Sequence, residues 1–352
     1  MNFDDSTATA GPGSLFPIDS DRAMIDAYKG TDGSTGEGEA DNPLIQVADG
    51  HVPGYFEELN GRLFFSLPSV KYPLPVDEPE QARQKALHAL LRPLTWSLCT
   101  RALLWFIQRY PDKSPHVLDV GTGTGVWVLE MAQQFPNVQF SGLDTISQLN
   151  LVPMSTPYTP PNVLFRSHNF ALGLPYDSSS LNVVHARLIS LGMTDYEDFL
   201  DECARVLCLD GLLVVCEWSR SVSTTDGNDV VNVAPRACAF LQTLADTLQA
   251  SRPDLPTVIS VHNALKNRSE FLCFDWRLTP VPVGDWHPDP SLKTLGKKYR
   301  DILTAYAGSM RTFLEKYFVP DHVGAMIDGF ISDLRSENRL VSAYYAAHAR
   351  RL

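Results

Sequence analysis

The chain has 352 residues and no excess of basic ones: 29 Lys and Arg stand against 41 Asp and Glu, a net charge of −12. Ten of those acids and two of the bases fall in the first fifty residues, which supply −8 of the −12 and leave −4 for the rest. No basic stripe of the kind a phosphate backbone requires is present, so nucleic acid is excluded as a partner. Cys-x-x-Cys pairs and paired Cys/His ligand spacings are also missing. The six cysteines (Cys99, Cys203, Cys208, Cys216, Cys238, Cys273) read as reduced, mostly buried thiols of a cytoplasmic protein, with the nucleus as the alternative compartment, and no metal site is expected. No apolar run has the length of a membrane span. The first residues have neither the basic start nor the apolar stretch of a secretory signal, and no membrane contact is expected. Internal repeats are absent.

What is present divides into four segments. Residues 1–50, rich in Gly, Ser, Thr and Asp, read as a disordered acidic tail. Residues 51–110 read as an N-terminal helical cap. Its aromatic stretch 51–72 is a lid or a short helical element, and a helix follows from about Glu80 to Tyr110, with Pro93 breaking it in two. Residues 111–220 alternate apolar strands (HVLDV, VQFSGLD, NVLFRSHNF, LNVVHAR, GLLVVCEW) with amphipathic helices at about 125–135 and 195–207, the pattern of a parallel α/β sheet covered on both faces. Residues 221–352 continue with a loop at 221–230, a helix at 233–250, a strand from Phe271, a helical substrate cap over about 291–337 and a last strand, LVSAYYAAHAR.

The run HVLDVGTGTGVW, residues 116–127, carries the chemistry. A buried strand leads into a turn with Gly121, Gly123 and Gly125, then into a helix. Alternating glycines let the backbone turn sharply beside a ligand, and a helix N-terminus favours anionic groups. A dinucleotide fingerprint would read G-x-G-x-x-G; here the spacing is G-x-G-x-G, with Asp119 two residues before the first glycine. That acid suits an ammonium better than a pyrophosphate. Asp144, at the end of the next strand, suits the two hydroxyls of a ribose. Together they point to S-adenosyl-L-methionine, which carries an adenosine and an amino-acid end.

These residues, with YPLPVDEPEQARQKALHALL (72–91), LNVVHARLISLGMTDYEDFLDECARVLCLDGLLVVCEW (181–218) and the region from WHPDPSLKTLGKKYR to YYAAHARR (286–351), resemble the fungal LaeA-like branch of the class I S-adenosylmethionine-dependent methyltransferases. The resemblance covers about residues 55–352. It implies a Rossmann-like fold with a seven-stranded sheet, parallel except for its last strand, and helical N-terminal and C-terminal caps. It also implies that Gly121, Thr122, Gly123 and Gly125 line the methionine end, that Asp144 holds the ribose, and that Thr145, Asn169 and Phe170 meet the adenine. Asn169 stands where the family often has an acid.

Methyl transfer needs position and a dry site more than a catalytic constellation. His185, at the end of the fourth strand, is the candidate proton acceptor; Arg187 is the candidate partner of a carboxylate on the cofactor or the substrate. Trp218 and Trp286 are candidate substrate contacts, with Glu217, His262, His287 and Tyr72 nearby in the expected fold. The reading is an S-adenosylmethionine-dependent methyltransferase of a small-molecule acceptor, a fungal secondary metabolite methylated at oxygen, nitrogen or carbon. The alternatives are a nuclear regulator of the LaeA kind acting through protein partners, and an enzyme of this fold that catalyses a cyclisation. A homodimer or a regulatory protein partner is left open.

Overall fold

The structure, a computed structural model, describes residues 56–66, 72–109, 114–145, 159–193, 195–336 and 338–352. The acidic tail expected over residues 1–50 lies outside them. The described chain begins with two short strands, β1 (Phe56–Leu59) and β2 (Arg62–Phe65), paired antiparallel around Asn60–Gly61. Asn-Gly tolerates the positive φ that both turn positions adopt, 53° and 72°. A hairpin therefore stands where the sequence suggested a lid or helical element. Arg62 pairs with Asp77 at 2.5 Å, and Val76 N donates to Leu63 O, which pins the hairpin to the start of helix α1 (Glu78–Arg109).

Helix α1 runs unbroken through Pro93, contrary to the expected division into two. Pro93 and Ala89 both sit on the exposed side, so the carbonyl that proline cannot bond is within reach of water. On the other side Leu87, His88, Leu90 and Leu91 are buried, and that face holds the helix against the sheet.

The main sheet contains β3 (His116–Val120), β4 (Gln139–Asp144), β5 (Val163–Ser167), β6 (Leu181–Arg187), β7 (Leu207–Trp218), β8 (Ser223–Thr224), β9 (Phe271–Pro282) and β10 (Leu340–Arg351). The order is β5-β4-β3-β6-β7-β10, with β9 on the far side of β10 and the two-residue β8 against its start. Strands β3 to β7 pair parallel, and β10 runs antiparallel to both β7 and β9. Seven long strands with the last reversed match the implied fold; β8 is an addition. Strands β3, β6 and β7 are nearly continuous apolar runs because helices cover both faces.

Around the sheet lie α2 (Val126–Gln134), α3 (Tyr196–Val206), α4 (Val230–Val233), α5 (Pro235–Ser251), α6 (Val258–Lys266), α7 (Pro290–Ser309), α8 (Arg311–Leu314) and α9 (Pro320–Arg335). The helical stretch expected over 291–337 is three helices, and α6 has no counterpart among the expected elements. Asn162 fastens α2 to the sheet: its Nδ2 donates to the carbonyls of Ala132, Phe135 and Val138. Helix α7 packs along α1, and α9 along α5. Among the described residues no helix is long and apolar enough to cross a membrane. Burial pushes the thiols of Cys203 and Cys216 up, the latter to about 12, so both are inert.

The sheet places the site. Strand order reverses between β3 and β6, and in such sheets ligands bind at the carboxyl ends beside that switch point. The glycine turn, Asp144, Arg187 and Trp218 all follow or end neighbouring parallel strands at that edge.

One cross-helix contact gives a stability test. The residue before α5, Ala234, has no side-chain acceptor, and buried Asp333 from α9 serves instead, taking the amides of Arg236 at 2.8 Å and Ala237 at 3.0 Å. Losing a cap and leaving two amides unpaired costs about 2 kcal/mol. Asp333→Ala is therefore expected to lower Tm by roughly 5 °C. Exposed Asp328→Ala on the same helix is the control and leaves Tm unchanged in the same thermal melt.

Candidate cofactor and acceptor site

The turn after β3 is held in an unusual backbone path. Gly121, Gly123 and Gly125 have φ of 67°, 54° and 69°, values that L side chains rarely adopt. A Cβ on Gly121 would lie 2.7 Å from Ile189 Cγ2, and one on Gly123 3.0 Å from Gln84 Oε1. The turn is tied to β4 twice: Thr122 N donates to Leu143 O at 3.0 Å, and Gly123 N donates to Asp144 Oδ2 at 2.8 Å. Gly125 then caps α2 from the left-handed region.

A cavity opens above this turn. Its wall includes Gly121, Thr122, Gly123, Asp144, Thr145, Asn169, Phe170, Arg187 and Trp218 from the residues singled out in the sequence. Asp144 Oδ1 accepts from Thr145 N at 2.8 Å, so each carboxylate oxygen has one amide donor and a lone pair to spare. Enclosure by protein pushes the Asp144 carboxyl up to about 6, against the pull of its two amide donors. Asn169 Oδ1 takes the amide of Ala171 at 3.1 Å and caps the short 3-10 turn Phe170–Leu172. An adenine amino group would share that oxygen rather than own it.

Five residues singled out in the sequence stand elsewhere than on the cavity wall. Asp119 does not line the cavity; it is 4% exposed, and its oxygens take the Thr122 hydroxyl at 2.7 Å and His185 Nδ1 at 2.6 Å. It braces the turn from beneath instead of facing an ammonium. His185 is also off the cavity wall. Its ring stacks on Trp127 at 3.9 Å, and burial holds its pKa below the ordinary value despite Asp119. The neutral ring donates to Asp119, and Nε2 is buried with no partner among the described residues. Held between Asp119 and Trp127, the ring does not face the cavity. Gly125 serves the helix cap and not the wall. Trp286 spends its indole N–H on Leu340 O at 3.0 Å, beside the start of β10 and away from the cavity. His262 likewise turns toward Trp276 and Tyr345.

At the β7 end of the cavity stand Glu217, Trp218, Ser190, Arg220 and Tyr306. Trp218 is fixed by its N–H to Ser342 Oγ at 2.7 Å and lies edge-on to Tyr306 at 5.1 Å. Glu217 accepts from the amides of Ile189 and Ser190 and from the Ser190 hydroxyl, and burial pushes its carboxyl up to about 7. Arg220 donates to the same hydroxyl at 3.0 Å. Helix α1 adds residues that no sequence motif marked. Arg83, Gln84, Leu87 and His88 face the cavity, and their spacing along one helix face was the available signal.

The donor set fits S-adenosylmethionine: a glycine turn with no room for a Cβ at Gly121 or Gly123, an enclosed carboxylate with spare lone pairs, and a guanidinium nitrogen of Arg187 with no partner among the described residues. A methyltransferase domain model matches residues 117–211, which contain the turn, Asp144, Asn169 and Arg187. The secondary metabolism regulator laeA of Coprinopsis cinerea is 32% identical over 158 residues, 45% of this chain and 38% of that protein. Methyltransferase str2 of Strobilurus tenacellus is 23% identical over 76% of this chain and 90% of its own length. Secondary metabolism regulator LAE1 of Cochliobolus heterostrophus is 24% identical over 82% and 92%. The match thus spans under half of the Coprinopsis protein and nearly all of the other two. On this turn, this acid and these relatives, the chain carries a methyltransferase domain over residues 117–211 and is similar to fungal secondary metabolism regulators and methyltransferases.

Proposed function

We propose that the protein transfers a methyl group from S-adenosylmethionine to a small apolar acceptor, a fungal secondary metabolite. The observation that carries the reading is a single cavity wall in which the cofactor residues continue into an aromatic pocket of Trp218, Tyr306, Phe65 and Tyr72. In this reading Asp144 accepts the ribose hydroxyls, Thr145, Asn169 and Phe170 surround the adenine, and the glycine turn with Arg187 receives the amino-acid end. When bound, the cofactor would supply an activated methyl on a sulfonium, which an acceptor atom would take in line as the S–CH₃ bond breaks and S-adenosylhomocysteine leaves. The protein's share is alignment and the exclusion of water. An acceptor hydroxyl must also lose its proton. Glu217, poised near neutrality beside the Ser190 hydroxyl, takes that role in place of His185.

A second reading, a regulator acting through a protein partner, is favoured by one observation: the 32% identical relative is described as a secondary metabolism regulator. Incubation with methyl-labelled cofactor and separate protein and low-molecular-mass extracts of the host distinguishes the two. The proposal expects label in a small molecule that gains one CH₂. Label confined to protein, or a small-molecule product of unchanged mass, contradicts it.

Asp144 gives a pH test. Its carboxyl must be ionised to accept both hydroxyls, and protonation occurs as pH falls through about 6. Affinity for methylthioadenosine, which has the ribose but no amino-acid end, is expected to be flat above about pH 7 and to decline on acidification through 6. Asp144→Ala removes charge-assisted bonds worth about 1.5–3 kcal/mol and lowers the affinity about 10- to 100-fold at neutral pH. Calorimetry reads both, and an unchanged affinity in the variant refutes the ribose assignment.

A further inference from the structure

Arg187 ends β6 and lines the cavity, and among the described residues no acid is shown paired with it. Its Nη2 lies 3.0 Å from His88 Nδ1. A guanidinium can only donate, so Nδ1 is the acceptor and the ring proton sits on Nε2. That nitrogen lies 3.2 Å from Glu130 Oε2. A chain of hydrogen bonds therefore runs from Glu130 on α2, through His88 on α1, to Arg187 on β6. His88 is 4% exposed, so the ring is buried between its two partners. The other guanidinium nitrogen, Nη1, is buried and has no partner among the described residues. A buried donor left unmade is costly, and an anion placed against it removes that cost.

The register says where that anion lies. Ala186 is paired with Val120 across β6 and β3, so Arg187 stands beside Gly121, the first residue of the glycine turn. We propose that Glu130 and His88 are a positioning relay that aims Arg187 at the carboxylate of the cofactor's amino-acid end. This rests on the assignment of Arg187 made above. The relay works only with a neutral imidazole, since a protonated ring would turn an acceptor into a second donor facing a cation. Glu130 from α2 favours the charged ring. Arg187 from β6, Arg92 from α1 and, above all, burial oppose it, and His88 is held below its ordinary range.

Calorimetry with two ligands tests the relay in the full chain. S-adenosylhomocysteine carries the carboxylate; methylthioadenosine shares the adenosine and lacks it. His88→Leu is expected to weaken S-adenosylhomocysteine about five- to tenfold, the loss of roughly one hydrogen bond's positioning, with methylthioadenosine unchanged. His88→Gln, whose amide accepts from Arg187 and donates to Glu130, restores binding to within about twofold. Equal losses for both ligands in His88→Leu would make His88 merely structural and overturn the relay. If that variant does not fold, Glu130→Leu at the more exposed end of the chain substitutes for it: a loss selective for S-adenosylhomocysteine supports the relay, and none refutes it. Arg187→Leu separates the two layers. A selective loss there with none in the His88 and Glu130 variants sinks only the relay; no selective loss in Arg187→Leu sinks the carboxylate assignment on which it rests.

Discussion

The site depends on one contact, the 2.8 Å hydrogen bond from the amide of Gly123 to the carboxylate of Asp144. It exists only because the turn after β3 takes a path open to glycine, and it brings an anion to the same point where backbone amides are exposed. The carboxylate fixes the turn, and the turn enforces a carboxylate with lone pairs left over. Asp119 completes the arrangement from below through Thr122, and His185 locks Asp119 in turn. Two acids flank one turn. The buried one is consumed by structure, and the one facing the cavity is available to a ligand.

From that point the cavity changes character along the sheet. Near β4 it is polar and built largely of backbone. Toward β7 it becomes aromatic, with Glu217 and Arg220 sharing the Ser190 hydroxyl. This gradient follows from the strand order, because each parallel strand delivers its carboxyl-terminal residue to the same edge. Helix α1 closes the cavity from above, and its buried polar residues Glu80, Arg83 and His88 are all satisfied by partners on the helix itself or on neighbouring elements. An amphipathic helix ordinarily buries an apolar stripe. Polar residues on this buried face mark it as part of a binding wall.

Much of this was legible in the sequence. Apolar runs of five to seven residues separated by helices declared the parallel sheet, and G-x-G-x-G followed by Asp144 pointed to residues that line one cavity. Other parts were hidden for physical reasons. Asp119 and His185 lie on two neighbouring strands that are buried on both faces, where alternation no longer tells which way a side chain points. Spacing could not reveal that they bond to one another across β3 and β6. Pro93 reads as a break until the exposed position of Ala89 is known. The Asn60–Gly61 hairpin carried a turn signal that its aromatic surroundings obscured. The pairing of His88 with Arg187 joins residues 99 apart in the chain, and no local pattern encodes it.

The central claim is that the glycine turn and Asp144 form the cradle of an adenosine cofactor with an amino-acid end. A crystal structure of the full chain with S-adenosylhomocysteine tests it most directly. The account predicts ribose hydroxyls on the Asp144 carboxylate and the ligand's carboxylate within hydrogen-bond distance of Arg187 Nη1. A ligand seated elsewhere, or one whose ribose makes no contact with Asp144, contradicts it.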